Sequence, residues 1–220
     1  MKPSYRPFPS LLLTALFCAA GFGIIAALVG TSHTDGFDSA LISAIQGMES
    51  APLTRIMQSF TFIGAGLPAG LLACLLAVVL YICCGLRREL LFFFAIPGGS
   101  WLLNELLKLL FHRERPALYR LAEAAGYSFP SGHSMAAFSL YGVFLFLVWR
   151  HVPSLPVRIL LLLCGAFMIV MVGISRIYLG VHYPSDVAAG FMASGCWLAF
   201  AIEVYRRYSG PGFEKASARL

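Results

Sequence analysis

Charged residues are scarce in this 220-residue chain. Asp, Glu, Lys and Arg make up 12% of it, about half the share of a soluble globular domain, whereas 59% is hydrophobic and the mean hydropathy is +0.81. These values exclude an ordinary soluble domain and indicate an integral membrane protein. The net charge of +6 does not call for a nucleic-acid partner, because membrane proteins concentrate Lys and Arg in their cytoplasmic loops.

The sequence also lacks the patterns of metal sites and disulfide frameworks. Its six cysteines lie in or beside apolar runs without Cys-x-x-Cys spacing, so we expect them to be reduced and unpaired. Carboxylate clusters and histidine pairs at ligand spacing are absent as well. We therefore expect neither a metal nor another cofactor.

Six apolar stretches are present, each long enough to cross a bilayer as a helix. They cover residues 10–30, 60–84, 90–111, 132–149, 157–175 and 185–205. The first is longer than the apolar region of a signal peptide, which predicts a retained span despite the preceding Lys2 and Arg6. The fold class predicted is all-α, with six transmembrane helices in a single domain over 1–220 and a disordered tail over 208–220.

The orientation follows from the basic residues of alternate loops. Ten Lys and Arg residues fall on the side of the termini and six on the other, which places both termini in the cytoplasm. Three groups of polar residues then emerge together on the extracytoplasmic face. This convergence predicts one site, with its core in residues 108–186.

The first two groups suit the binding of a phosphate. Lys108 and Arg115 are seven residues apart, two turns if the helix continues, and Pro116 biases Arg115 out of a helix. In Pro130-Ser131-Gly132-His133, Ser131 suits an N-cap and Gly132 permits close backbone approach. The N–H groups of a helix start form a cradle for an anion, and His133 is placed to protonate a leaving oxygen.

The third group supplies a cation and a nucleophile. Arg176 is placed to grip two phosphate oxygens. His182 and Asp186, four residues apart around a helix start, allow the carboxylate to orient one imidazole nitrogen while the other faces the site. Each group alone has an ordinary explanation, such as an interfacial anchor, a turn or a structural hydrogen bond.

Together these residues resemble the type 2 phosphatidic acid phosphatase family, whose signature is K-x6-RP, PSGH and SR-x5-H-x3-D. Lys108 to Pro116, Pro130 to His133 and Ser175 to Asp186 match all 11 fixed positions in order. The resemblance implies metal-independent hydrolysis of a lipid phosphate. It assigns a phosphohistidine to His182, assisted by Asp186, with His133 as acid and Lys108, Arg115 and Arg176 holding phosphate.

The expected reaction is dephosphorylation of a lipid carrier at a bacterial cytoplasmic membrane, with the site facing the periplasm or the exterior. Undecaprenyl diphosphate is the leading substrate, followed by phosphatidylglycerophosphate and phosphatidic acid. Alternatives are a lipid phosphotransferase and a non-catalytic protein that binds or flips lipid phosphates. Lipids are the expected partners, and no obligate protein partner is implied.

Several other residues receive structural roles from the sequence. Residues 31–58 predict a connection containing a surface helix, with Asp35, Asp38 and Glu49 on a solvated face. Arg113 is interpreted as a solvated loop charge, and Glu105 as a partner of Lys108 on one helix face. The aromatic residues near the motifs are interpreted as an interfacial belt: Tyr127, Phe129, Tyr178 and Tyr183.

Overall fold

A computed structural model describes residues 9–64, 66–116 and 119–208. From residue 209 onward the predicted disordered tail lies outside this part of the chain. The described residues form α-helices joined by loops and a short 3-10 turn, without a β-strand. The helices are α1 (Pro9–Gly30), α2 (Asp35–Gln46), α3 (Ala51–Gly64), α4 (Gly66–Cys84), α5 (Glu89–Phe111), α6 (Gly132–Val148), α7 (Leu155–Tyr178) and α8 (Pro184–Tyr208).

Six of these helices are long and apolar enough to cross a membrane: α1, α4, α5, α6 with its 3-10 extension to His151, α7 and α8. They confirm the all-α class and the six predicted spans, and they make the chain a multi-pass membrane protein. All six cysteines are free thiols.

The second predicted span is wrong in its first residues. Positions 60–64 belong to α3, and α4 begins at Gly66, which has a φ of +67°. A left-handed residue ends one helical direction and allows another to start. Because apolar residues continue through the break, hydropathy alone merges the end of α3 with α4.

The centre of the bundle is formed by α6 and α8, the most buried of the long helices. α8 packs along α1 and α6, and small residues allow this close approach. A Cβ atom added at Gly195 of α8, for example, would lie 2.9 Å from the Sγ atom of Cys18 in α1. The hydroxyl of Ser194 also donates to the carbonyl of Met135 at 3.2 Å and links α8 to α6.

The two short helices lie at the end of the bundle where α5 and α7 finish and α6 and α8 begin. α2 packs against α7 and α8, and α3 packs mainly against α7. The predicted helix in the 31–58 connection is therefore confirmed, with Ile42 buried and Phe37 exposed. These helices cover the end at which the polar motifs meet.

Candidate active site

His182 and Asp186 form the most buried pair of the site. His182 is 2% exposed and Asp186 is 0% exposed. The Nδ1 atom of His182 lies 3.4 Å from Oδ2 of Asp186. The same carboxylate oxygen accepts from the backbone N–H of Tyr183 at 2.9 Å and from the hydroxyl of Ser128. These hydrogen bonds fix the carboxylate of Asp186 next to the Nδ1 atom of His182.

The other imidazole nitrogen faces a cation. The Nη1 atom of Arg115 lies 3.1 Å from Nε2 of His182. Because a guanidinium only donates hydrogen bonds, Nε2 must accept, and the ring proton therefore sits on Nδ1, facing Asp186. Burial lowers the pKa of His182 from 6.5 to about 4; the cations Arg115 and Arg176 also lower it, while Asp186 opposes the shift. His182 is consequently neutral near pH 7, with a lone pair on Nε2.

Arg115 occupies a loop and not the helix that carries Lys108. α5 ends at Phe111, and His112 adopts a left-handed φ of 48°, so the premise of two helical turns between the two cations is wrong. Arg115 still reaches the site. Its remaining donors bind four backbone carbonyls, those of Ala125, Gly126, Tyr127 and Val181, at 2.8–3.2 Å. Arg115 therefore ties the loop before Ser128 to the turn that carries His182.

The Pro-Ser-Gly-His segment forms the start of α6 as predicted. Ser131 is the N-cap, and its Oγ atom accepts from the backbone N–H of Ser134. A Cβ atom added at Gly132 would lie 2.8 Å from Oδ1 of Asn104 and 3.6 Å from Nζ of Lys108. Asn104 in turn donates to the carbonyl of Pro130 at 3.0 Å. A side chain at position 132 would therefore require the buried Asn104 side chain to move from its place beside this helix start.

Arg176 reaches the site from the end of α7. It is 5% exposed, and its Nη1 atom donates to the hydroxyl of Thr61 in α3. Its buried Nε atom has no hydrogen-bond partner among the described residues. A buried guanidinium with an unused donor is suited to hold an anion.

His133 lies in the first turn of α6 among the other basic groups. A Cβ atom at Gly64 of α3 would lie 3.5 Å from its ring. The positive charges of three neighbours, Lys108, Arg115 and Arg176, act on it, and the imidazole of His182 lies nearby. The structure thus gathers all three motifs at one location. This arrangement places a neutral imidazole with an available lone pair, a second imidazole and three cationic side chains close together.

Sequence reasoning missed two charged residues that complete the site. Arg113 donates from Nη1 to Oδ1 of Asp186 at 2.6 Å and from Nη2 to Oδ2 of Asp38 at 2.9 Å. Asp38 is 1% exposed. The predictions of a solvated loop charge for Arg113 and of a solvated face for Asp38 are therefore wrong. The sequence offers no local signal for them, because the partners lie far apart along the chain.

Among the predictions for residues near the motifs, one is confirmed and one is wrong for two of its residues. Lys108 and Glu105 form the expected pair, with Nζ and Oε1 3.4 Å apart. Phe129 and Tyr178 are fully buried, so they do not belong to an interfacial aromatic belt. Asn104 and Ser128, which fix the loops around the motifs, were not predicted because single Asn and Ser residues are common in any loop or helix.

The described residues contain no cluster of three or more His, Cys, Asp or Glu side chains arranged to hold a metal ion. The polar end of the bundle does bring three cationic side chains close to His133, those of Lys108, Arg115 and Arg176.

Comparisons with known proteins agree with this geometry. Residues 88–209 match the pattern of the PAP2 superfamily. The chain is 32% identical to phosphatidylglycerophosphatase B of Bacillus subtilis (strain 168), over 83% of this chain and 89% of that protein. It is also 32% identical to a putative undecaprenyl-diphosphatase of Escherichia coli (strain K12), over 60% of this chain and 70% of that protein.

A solved structure shares the fold. It is the crystal structure of a transmembrane PAP2 type phosphatidylglycerolphosphate phosphatase from Bacillus subtilis. The TM-score is 0.80 at 29% sequence identity, and the alignment covers 88% of this chain and 96% of that one. The alignment therefore extends over most of both chains.

Proposed function

The chain belongs to the PAP2 superfamily and is a membrane lipid phosphatase, and we propose that it works through a phosphohistidine formed on His182. The observation that carries this proposal is the hydrogen bond from Arg115 to Nε2 of His182. It assigns the lone pair to the nitrogen that faces the cations, while Asp186 faces the other nitrogen.

In the first step, Nε2 of His182 attacks phosphorus and the bond to the leaving oxygen breaks. His133 donates a proton to that oxygen, which leaves as an alcohol or as a lipid monophosphate. Asp186 holds the positive charge that develops on the imidazole. Lys108 and Arg176, with the N–H groups beside Ser131 and Gly132, balance the charge of the phosphoryl oxygens.

In the second step, water attacks the phosphohistidine and passes a proton to His133. The nitrogen–phosphorus bond breaks, and inorganic phosphate leaves. The cycle returns His182 to its neutral state and needs no metal ion as a source of charge or of hydroxide.

Two lipids are candidate substrates. The similarity to a phosphatidylglycerophosphatase over most of both chains supports phosphatidylglycerophosphate. The similarity to an undecaprenyl-diphosphatase supports undecaprenyl diphosphate, the substrate expected from the sequence. Either lipid keeps its chain in the bilayer while the headgroup enters the polar end of the bundle.

The proposal also includes the placement of the site. Six spans that alternate in direction would bring residues 9 and 208 to the end of the bundle opposite the motifs. The excess of Lys and Arg on the side of the termini supports cytoplasmic termini and a site on the outer face of a bacterial cytoplasmic membrane. The whole chain then acts as a single domain.

The test is phosphate release by the purified protein in EDTA from phosphatidylglycerophosphate, undecaprenyl diphosphate and phosphatidic acid. We expect release from at least one of the first two and no release by His182→Ala. His151→Ala, a substitution near the opposite end of α6, is the matched control and should retain activity. Equal activity in His182→Ala would contradict the proposed nucleophile, and transfer of phosphate to an added alcohol in place of water would indicate a phosphotransferase.

A further inference from the structure

Asp38 is a carboxylate in a helix that carries none of the motifs. It belongs to α2, which lies over the end of the bundle, and it is 1% exposed. Burying a carboxylate is costly unless hydrogen bonds and an opposite charge compensate it. The contacts of Asp38 therefore identify the groups that compensate the cost of burying it.

The contacts of Asp38 are made with residues that lie close to His182, the candidate nucleophile. Oδ1 of Asp38 accepts from the backbone N–H of Ser185 at 2.9 Å, and Oδ2 accepts from the hydroxyl of Ser185 at 2.6 Å. Oδ2 also accepts from Nη2 of Arg113 at 2.9 Å. Ser185 immediately precedes Asp186, so Asp38 holds both the first turn of α8 and the arginine that binds Asp186.

Arg113 links the two carboxylates. Its Nη1 atom donates to Oδ1 of Asp186 and to the hydroxyl of Ser185, while Nη2 donates to Asp38. The guanidinium lies 4.0 Å from the centre of the Tyr183 ring, which packs against its face. Burial lowers the pKa of Arg113, but Asp186 and Asp38 outweigh this effect and raise it above the ordinary value. Arg113 thus stays charged between two acids.

We propose that Asp38 is a positioning residue for the reaction: it fixes Arg113 and Ser185, and these fix Asp186 in the orientation that holds the imidazole of His182. This inference rests on the proposed role of His182 as nucleophile. With Oδ1 of Asp186 bound by Arg113, Oδ2 remains directed toward Ser128, the N–H of Tyr183 and Nδ1 of His182. Helix α2 then contributes, through Asp38, to the orientation of the proposed nucleophile.

The decisive variant is Asp38→Asn in the full-length protein. The substitution removes the charge and places an amide N–H₂ against a donor of Arg113 or Ser185. Asp35→Asn is the matched control, because Asp35 belongs to the same helix and is exposed. The readouts are kcat, KM and inhibition by inorganic phosphate, measured with the lipid that wild type hydrolyses.

We expect kcat of Asp38→Asn to fall about 10-fold to 100-fold, by analogy with the loss found when a hydrogen-bond partner that orients a metal-binding side chain is removed. KM and the inhibition constant of phosphate should stay within about twofold, because Lys108 and Arg176 are untouched. Asp35→Asn should match wild type in all three quantities. A rise in KM without a fall in kcat would overturn the proposal, since it would indicate ground-state binding.

A double-mutant cycle separates positioning from a general loss of structure. If Asp38 acts through Asp186, adding Asp38→Asn to Asp186→Asn should change kcat by less than about threefold. An equal loss in both backgrounds would overturn the proposal. If Asp38→Asn does not fold, Ser185→Ala takes its place, because it removes the hydroxyl that donates to Asp38 and accepts from Arg113, one of the two links between these residues.

Failure of this inference differs from failure of the proposed function. An active wild type with an inactive His182→Ala, beside an unaffected Asp38→Asn and Ser185→Ala, overturns only the role of Asp38. Full activity in His182→Ala removes the nucleophile itself and the role of Asp38 with it.

Discussion

The Nη1 atom of Arg115 lies 3.1 Å from Nε2 of His182 and donates to it. All five N–H donors of Arg115 are used, four of them by backbone carbonyls. In the proposed mechanism, a phosphate that approaches Nε2 displaces this one donor, which would then face the phosphoryl oxygens. Arg115 would thus both fix the loops of the site and bind the substrate.

Arg115→Lys should therefore be a severe substitution. An ammonium has three donors and lacks the planar fork that spans the loop 125–127 and Val181. We expect kcat/KM to fall about 100-fold, the scale at which a small misplacement in a site affects the rate, with contributions from both kcat and KM. Steady-state kinetics beside Arg55→Lys, an exposed position in α3, provides the check, and a change below about threefold would contradict this role.

The pH dependence should reflect the low pKa of His182. Because burial and the neighbouring cations lower that pKa to about 4, the imidazole is neutral above this value and gains a proton only as the pH falls through it. Activity that depends on the neutral nucleophile should accordingly persist below pH 6.5.

The sign of the shift can be tested with Arg115→Gln. Removing a cation that lowers the pKa of His182 should raise it, so the acid limb of the kcat/KM profile should move toward neutral pH. The substrate ionises identically in both assays, and the difference between the profiles therefore belongs to the enzyme. Superimposable acid limbs would contradict the assigned environment of His182.

Gly132→Ala should damage the site through packing. The added Cβ atom would lie 2.8 Å from Oδ1 of Asn104, and Asn104 holds the carbonyl of Pro130. Forcing an extra methyl group into such a contact costs about 1–3 kcal/mol. We expect lower thermal stability and at least a tenfold loss of activity, about 1.4 kcal/mol of barrier. Gly98→Ala in α5, where nothing lies within 4 Å of the new Cβ, should lower neither stability nor activity.

The sequence predicts the three motifs and their proximity in the fold. It does not predict the residues around them that hold the motif side chains in place. The alternation of six spans is sufficient to place Lys108, His133 and His182 at one end of the bundle. Asp38 and Arg113 could not be paired from the sequence, because only the packing of α2 on α7 and α8 brings them together. The helix break at Gly66 could not be predicted from hydropathy either, because the residues on both sides of it are apolar.

Thr61 is another example of a residue whose role depends on tertiary packing. It lies in the part of α3 that the sequence merged with a membrane span, and its hydroxyl accepts from Arg176. Thr61→Val keeps the shape and removes this acceptor from a buried guanidinium, a loss of about 1–3 kcal/mol. We expect kcat/KM to fall by about tenfold, whereas Thr61→Ser should stay close to wild type. Equal kinetics for the two variants would show that Arg176 does not need this contact.

Vanadate should inhibit the enzyme in a buffer free of chelators, because its five-coordinate adduct resembles the transition state of phosphoryl transfer. The adduct requires a bond from Nε2 of His182, so His182→Ala should lose vanadate binding while inorganic phosphate still binds to the cations. Isothermal titration of both anions distinguishes covalent capture from simple charge attraction. If vanadate binds wild type and His182→Ala equally well, the cluster of Lys108, Arg115 and Arg176 recognises anions without a nucleophile, and the phosphohistidine mechanism is wrong.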